Sequence, residues 1–340
     1  MKVPKPRKLS SGMWFIQLRL NGTSIPITAS TAKECTRQAE LIKANHRADK
    51  KIKALTNAHR TLGAAIDDYI ALRENTLSES TIRGYKMIRK HRFQALMNKE
   101  LSALPNLQKA VNAEALECAP KTLRNAWMLI VSVLKENGIE PPVVSLPQVV
   151  SRETKWLEPE QIPVFIKAVN GKKCEIPALL ALCSLRRSEI YGLTWDNIDL
   201  DKKLIRVSGA KVIGDNNAIV EKKTNKNQTS RRTVPIMIPE LFDALNLVED
   251  KTGPIVTGHP NKLYDQINAV CRSADLPLVG VHGLRHSFAS LAYHLNVPEK
   301  IAMQIGGWSN YDTMRKIYTH LAQSDIEKYA KQLTDFYAKT

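Results

Sequence analysis

Between Gly138 and Pro147 the chain carries three prolines, Pro141, Pro142 and Pro147, and the stretch on to Lys155 reads as a linker. Proline has no amide donor and a fixed φ, so neither a helix nor an inner strand runs through such a segment. The chain must therefore fold in pieces, and 340 residues suit two or three domains, each with a core. With 43% hydrophobic and 24% charged residues, the pieces are globular and not disordered tails.

Ahead of the break the pattern is helical. Leu62, Ala65, Ile66, Tyr69 and Ile70 keep one face of a helix, and a second helix starts near Ser78 and turns Ile82, Tyr85 and Ile88 inward. A third presents Leu123, Ala126, Trp127, Ile130, Val131 and Leu134 as an apolar stripe. Residues 61–150 are thus expected to form an all-α bundle. Residues 1–60 differ: Trp14, Ile16, Leu18 and Leu20 alternate, Asn21-Gly22 turns the chain, and Ile25 and Ile27 follow. That predicts a β-hairpin, with Thr31 to His59 as a basic helix behind it.

Charge is concentrated at the front. Residues 1–60 hold 13 Lys and Arg against 3 acidic residues, a net of +10 within a chain total of +17. A polyanion is the natural partner, because bound cations release counterions condensed on nucleic acid. Membranes are disfavoured: no amphipathic basic helix has an aromatic face, and the apolar run Ile176–Cys183 is too short to span a bilayer. Met13–Ile16 is broken by Gln17 and Arg19, so no secretory signal is expected. The five cysteines are odd in number and lack a C-x-x-C spacing, as expected of reduced thiols in a cytoplasmic protein.

Residues 151–340 read as an α-rich domain with a small antiparallel sheet. Strands are expected over Leu204–Val207, Ala218–Glu221 and Thr233–Ile238, with Gly214–Asn217 turning the first pair. Four clusters of reactive side chains lie here. They are Leu185-Arg186-Arg187-Ser188-Glu189, then Lys222-Lys223-Thr224 with Ser230–Pro235, then His282-Gly-Leu-Arg285-His286, and finally Ile305-Gly-Gly-Trp308 with Tyr318-Thr-His320. Singly, each has a plain account as a surface ion pair, a solvated loop or a packed aromatic. His282 and His286 have half the spacing of a zinc site, but Gly283 replaces the needed glutamate and Arg285 would repel a cation, so no metal is expected.

In their order and spacing the clusters resemble the active-site series of the tyrosine recombinases, in the phage-integrase branch. The resemblance runs over essentially the whole chain and implies an α+β multidomain protein. Residues 1–60 would be an arm-type DNA-binding domain, 61–150 a core-binding domain and 151–340 the catalytic domain with a C-terminal tail. It implies that Arg186 and Arg285 are the catalytic arginines, Glu189 the carboxylate supporting Arg186, and His282 the partner of Arg285. Trp308 stands where most members carry histidine, and the resemblance makes Tyr318 the nucleophile. Lys223 most resembles the catalytic lysine, but the following loop is long, so Lys222 and Lys226 stay open. Ser184 replaces the glycine usual before the Leu-Arg pair, a departure expected to be tolerated.

Such residues suit phosphoryl transfer without a metal or other cofactor. Two guanidiniums fork onto the non-bridging oxygens. A phenol only about 0.1% ionised at pH 7 needs a proton acceptor, the role of His282, and Lys223 would protonate the departing 5′-oxygen. Trp308 can donate only its indole N–H. The expected activity is DNA recombination for integration or excision of a mobile element, through a 3′-phosphotyrosyl intermediate and a Holliday junction. The expected partners are duplex DNA and a homotetramer at synapsis, with an excisionase and a DNA-bending protein as accessories. Ile326, Tyr329, Ala330, Leu333, Phe336 and Tyr337 make an apolar tail face suited to a neighbouring protomer. The rivals are a type IB topoisomerase, which rejoins the same strand, and a DNA-binding regulator with a decayed site.

Overall fold

The computed structural model describes residues 3–20, 23–56, 59–150, 154–221 and 231–309, with 330, 334 and 336–338. The chain separates into two compact units, Met1–Arg73 with Gly84–Val149, and Glu74–Arg83 with Val150–Thr340.

The first unit begins with an antiparallel sheet of β1 (Arg7–Lys8), β2 (Trp14–Leu20) and β3 (Thr23–Ala29). Alternation along β2 buries Ile16 and Leu18, which pair with Ile27 and Ile25 across the hairpin. The Asn21-Gly22 turn lies outside the described residues. Pro26 is accommodated because β3 is an edge strand. Helix α1 (Ala32–Thr56) packs on the sheet through two small, fully buried residues one turn apart, Cys35 and Ala39. The Cys35 thiol donates to the Ile27 carbonyl at 3.5 Å. Lys33, Arg37 and Arg47 of the same helix stay exposed.

Helices α2 (Leu62–Ala71), α3 (Glu79–His91, its first turn grouped with the second unit), α4 (Gln94–Met97), α5 (Leu107–Glu117) and α6 (Pro120–Glu136) follow. Thr61 caps α2 by accepting from the Ala64 amide, and Pro120 opens α6, where no amide donor is needed. The α6 stripe buries Leu123, Ala126, Trp127, Ile130 and Leu134 as expected. Val133 is the buried valine, while Val131 is only half-buried.

In the second unit, α7 (Gln161–Val169), α8 (Glu175–Leu182) and α9 (Arg187–Gly192) lead into the strands. Pro177 to Leu182 of α8 are all buried, and the helix packs against α10 (Pro239–Asn246) and α12 (Val281–His294) as the centre of the core. Deleting one such leucine side chain costs about 2–5 kcal/mol. The sheet differs from expectation. Strand β5 (Leu204–Val207) pairs with β4 (Ile198–Asp199) and β8 (Arg232–Pro235), not with the strand after the turn. Gly214–Asn217 instead joins β6 (Lys211–Ile213) to β7 (Ile219–Glu221), a separate two-stranded ladder. Helices α11 (Pro260–Ser273) and α13 (Glu299–Gly306) complete the unit.

Candidate active site

The site is built on three stretches of chain, two of them reversals. The first, between α8 and α9, holds Ser184 at φ +71°, in the left-handed region that favours glycine. Arg186 follows as the residue preceding α9, and Glu189 at its third position reaches back to accept from the Arg186 amide at 2.8 Å. The other Glu189 oxygen accepts from Arg186 Nη1 at 2.7 Å. One carboxylate thus fixes both the backbone and the head of Arg186.

The second is the start of α12, which places Arg285 and His286 one turn after His282 on the same face. Arg285 is only 1% exposed; its Nη1 donates to the Ser184 carbonyl, and its Nη2 has no hydrogen-bond partner among the described residues. The rings of His282 and His286 meet edge to face with centroids 4.3 Å apart.

The third closes α13. Gly307, at φ +64°, turns the chain, and Trp308 folds back over the helix end so closely that a Cβ on Gly306 would collide with the indole. Trp308 stacks on Phe288 at 6.1 Å, and the Arg285 guanidinium lies over its face at 4.3 Å. The Gly307 carbonyl accepts from Arg186 Nη2. Arg186, His282, Arg285 and Trp308 therefore line one cleft, together with Arg187, Lys211 and Tyr264. Lys223, its alternatives Lys222 and Lys226, and Tyr318 lie outside the described residues.

Burial pushes the Arg285 pKa down, and Arg186 adds to the shift. An anion in the cleft would relieve both. Burial likewise lowers His282, reinforced by Arg285 and Arg186, so its imidazole is neutral at pH 7 and able to accept a proton. His286 is lowered to about 4 by burial, with His282 and Arg285 adding. For Glu189, burial would raise the pKa, but the hydrogen bonds and charges of Arg232 and Arg186 outweigh it and hold the carboxylate ionised.

Arg232 is the residue that sequence reasoning passed over. On β8, its side chain only 6% exposed, it donates to both Glu189 oxygens at 3.1 and 3.0 Å and to the Ile305 carbonyl at 2.7 Å. The available signal was its place in Arg231-Arg232-Thr just before a strand-forming Val-Pro pair, but a basic run ordinarily reads as solvated. Ser184 was noted as a departure, and its geometry explains why glycine suits that position. Among the described residues, no group of three His, Cys, Asp or Glu is placed to hold a metal, and no helix is long and apolar enough to cross a membrane. All five cysteines are free, and burial raises the Cys183 thiol to about 12.

Two arginines, a neutral histidine and an indole thus line one cleft, and residues 155–325 match the model of the phage integrase family. The chain belongs to that family. It is 26% identical over 204 residues to the integrase of Salmonella phage P22, covering 58% of this chain and 51% of that protein. To a XerC-like tyrosine recombinase of Caldanaerobacter subterraneus it is 27% identical over 220 residues, 55% of this chain and 56% of that one. The chain thus spans about half the length of the curated relatives it matches.

Solved structures share the fold. The Tn1549 transposon integrase in complex with circular intermediate DNA matches with a TM-score of 0.62 at 17% identity, over 79% of this chain and 99% of that one. The lambda integrase dimer bound to a COC′ core site matches at 0.55 and 13% identity, over 93% and 94%. A lambda integrase tetramer bound to a Holliday junction matches at 0.52 and 14% identity, over 90% and 96%.

Proposed function

We propose that the protein is a site-specific DNA recombinase of the tyrosine type, which integrates or excises a mobile element. The observation that carries this reading is the convergence of Arg186, Arg285, His282 and Trp308 on one cleft, in a chain of this family. Arg186 and the unspent Nη2 donor of Arg285 hold the non-bridging oxygens of the scissile phosphate, and Trp308 closes the cleft beside them. Neutral His282 takes the phenolic proton as the Tyr318 oxygen attacks phosphorus. The P–O5′ bond breaks, its electron pair leaves with the 5′-oxygen, and Lys223 gives that oxygen a proton. The 3′-phosphotyrosyl ester conserves the bond energy, so no ATP is needed. A 5′-hydroxyl from a partner duplex then attacks the ester and expels Tyr318.

The substrate is duplex DNA carrying core and arm sites, and the assembly a homotetramer, as in the lambda integrase bound to a Holliday junction. Residues 1–60, with their net charge of +10 and the exposed Arg37 and Arg47, form the arm-binding domain; 61–150 bind the core site, and 151–340 carry the chemistry. An excisionase and a DNA-bending protein set direction, and the work is done on cytoplasmic DNA. In the tail face, Phe336 and Tyr337 are exposed, while Ile326, Tyr329 and Leu333 lie outside the described residues.

Tyr318→Phe tests the reading, since it removes one oxygen and keeps the ring. Incubated with a nicked suicide duplex and stopped with denaturant, the wild-type protein should carry the DNA 3′-phosphate on the peptide holding Tyr318, without added metal. The variant should bind DNA and form no adduct. An adduct on another residue, or one requiring magnesium, refutes the proposal.

A further inference from the structure

We propose that Arg232 is the positioning residue that sets the net charge and the geometry of the phosphate cradle, an inference that rests on the recombinase reading. Its guanidinium joins the turn before α9 to the end of α13, and it shares the Ser184 carbonyl with Arg285 of α12. Nη1 and Nη2 take the two oxygens of Glu189, the carboxylate that holds Arg186. Nη2 also approaches the Ser184 carbonyl, which Arg285 uses, at 3.4 Å. Nε donates to the Ile305 carbonyl, fixing the end of α13 just ahead of Trp308. The glycine pair in Ile305-Gly-Gly-Trp308 leaves it room: a Cβ on Gly307 would stand 2.7 Å from Arg232 Nη1.

The charge count gives this arrangement its consequence. Glu189 is buried and ionised, and it accepts from both Arg186 and Arg232. Because Arg232 is only 6% exposed and turned onto Glu189, its charge cancels the carboxylate. Of the three arginines that meet at Glu189 and Ser184, Arg186 and Arg285 remain uncompensated, beside the Arg187 and Lys211 that also line the cleft. A phosphodiester carries one negative charge and the attacking phenolate brings a second, so the pentavalent transition state is a dianion that this pair matches. Without Arg232, Glu189 would draw its compensation from Arg186, leaving one net cation and pulling the Arg186 head towards α9. A buried charge that loses its partner is not quietly accommodated.

The test is a charge-rescue cycle, read as single-turnover cleavage of the nicked suicide duplex alongside duplex affinity in the full chain. Arg232→Met should slow cleavage by about 100-fold, the scale on which one preorganised transition-state contact acts, with duplex affinity changed less than threefold. Adding Glu189→Gln to Arg232→Met removes the uncompensated carboxylate and should restore about tenfold of that loss. A purely structural arginine would instead make the double variant worse than either single one. Arg232→Lys keeps the charge but cannot span Glu189 and Ile305 together, and should fall about tenfold below wild type; it carries the test if Arg232→Met does not fold. Cleavage at the wild-type rate in Arg232→Met or Arg232→Lys, or no rescue in the double variant, overturns the proposal alone. If the wild-type protein forms no adduct, the recombinase reading falls and this proposal with it.

Discussion

Ser184→Gly should make the protein more stable. Ser184 sits at φ +71°, its side chain fully buried, with a hydroxyl that has no partner among the described residues. The left-handed backbone costs a residue with a Cβ about 1–2 kcal/mol, and an unpartnered buried hydroxyl about 1–3 kcal/mol. Opposing these, glycine frees the unfolded chain by about 0.5–1 kcal/mol, and the missing hydroxymethyl leaves a void costing about 1 kcal/mol. The balance is a gain of about 1–2 kcal/mol, or about 5 °C in the Tm of a unit this size. Scanning calorimetry of the full chain reads it, because separate units give separate transitions. Ser184→Ala separates the two sources, since it removes the hydroxyl and keeps the Cβ in the left-handed region; the expected order is Gly above Ala above Ser. Glycine no more stable than alanine would show that the backbone conformation costs nothing. Serine above both would show that its hydroxyl is satisfied. Cleavage should stay within about threefold, because the Ser184 carbonyl that receives Arg285 is untouched.

Two further outcomes follow from the site. His286 has a folded pKa of about 4. Both states are neutral above pH 6.5, and between there and about 4 only the unfolded chain gains the proton. Stability should therefore fall as pH drops through that window, by about 3 kcal/mol, and His286→Leu should flatten this limb in urea titrations; an equal slope in both proteins refutes the assignment. Lys223→Ala should slow cleavage, and a 5′-phosphorothiolate at the scissile position should restore most of the rate, since a sulfur leaving group needs little protonation. Rescue of Lys222→Ala or Lys226→Ala instead would move the acid to that residue.

Local pattern carried most of the fold. The stripe of α6 and the run Leu204–Val207 were legible because each writes its period within a few residues. The pairing of β5 with β8 was not, because it joins segments far apart in sequence, and a Gly-Asp-Asn-Asn turn speaks only for its immediate neighbours. Strand β6 has three residues, too few to show alternation. The site followed the same division. Arg186, His282, Arg285 and Trp308 stood out by order and spacing. Arg232 did not, since its burial is a tertiary fact and its sequence context is that of an exposed basic loop. The strain at Ser184 is likewise invisible until the backbone is drawn.

The reversal at Ser184 both carries Arg186, two residues on, and receives Arg285 on its carbonyl. One peptide plane therefore couples the two arginines: turning the Ser184 carbonyl away would break the Arg285 bond and shift the backbone that leads to Arg186. A substitution that rotates this plane is expected to disturb both arginines at once, where one that leaves its orientation unchanged disturbs neither through it.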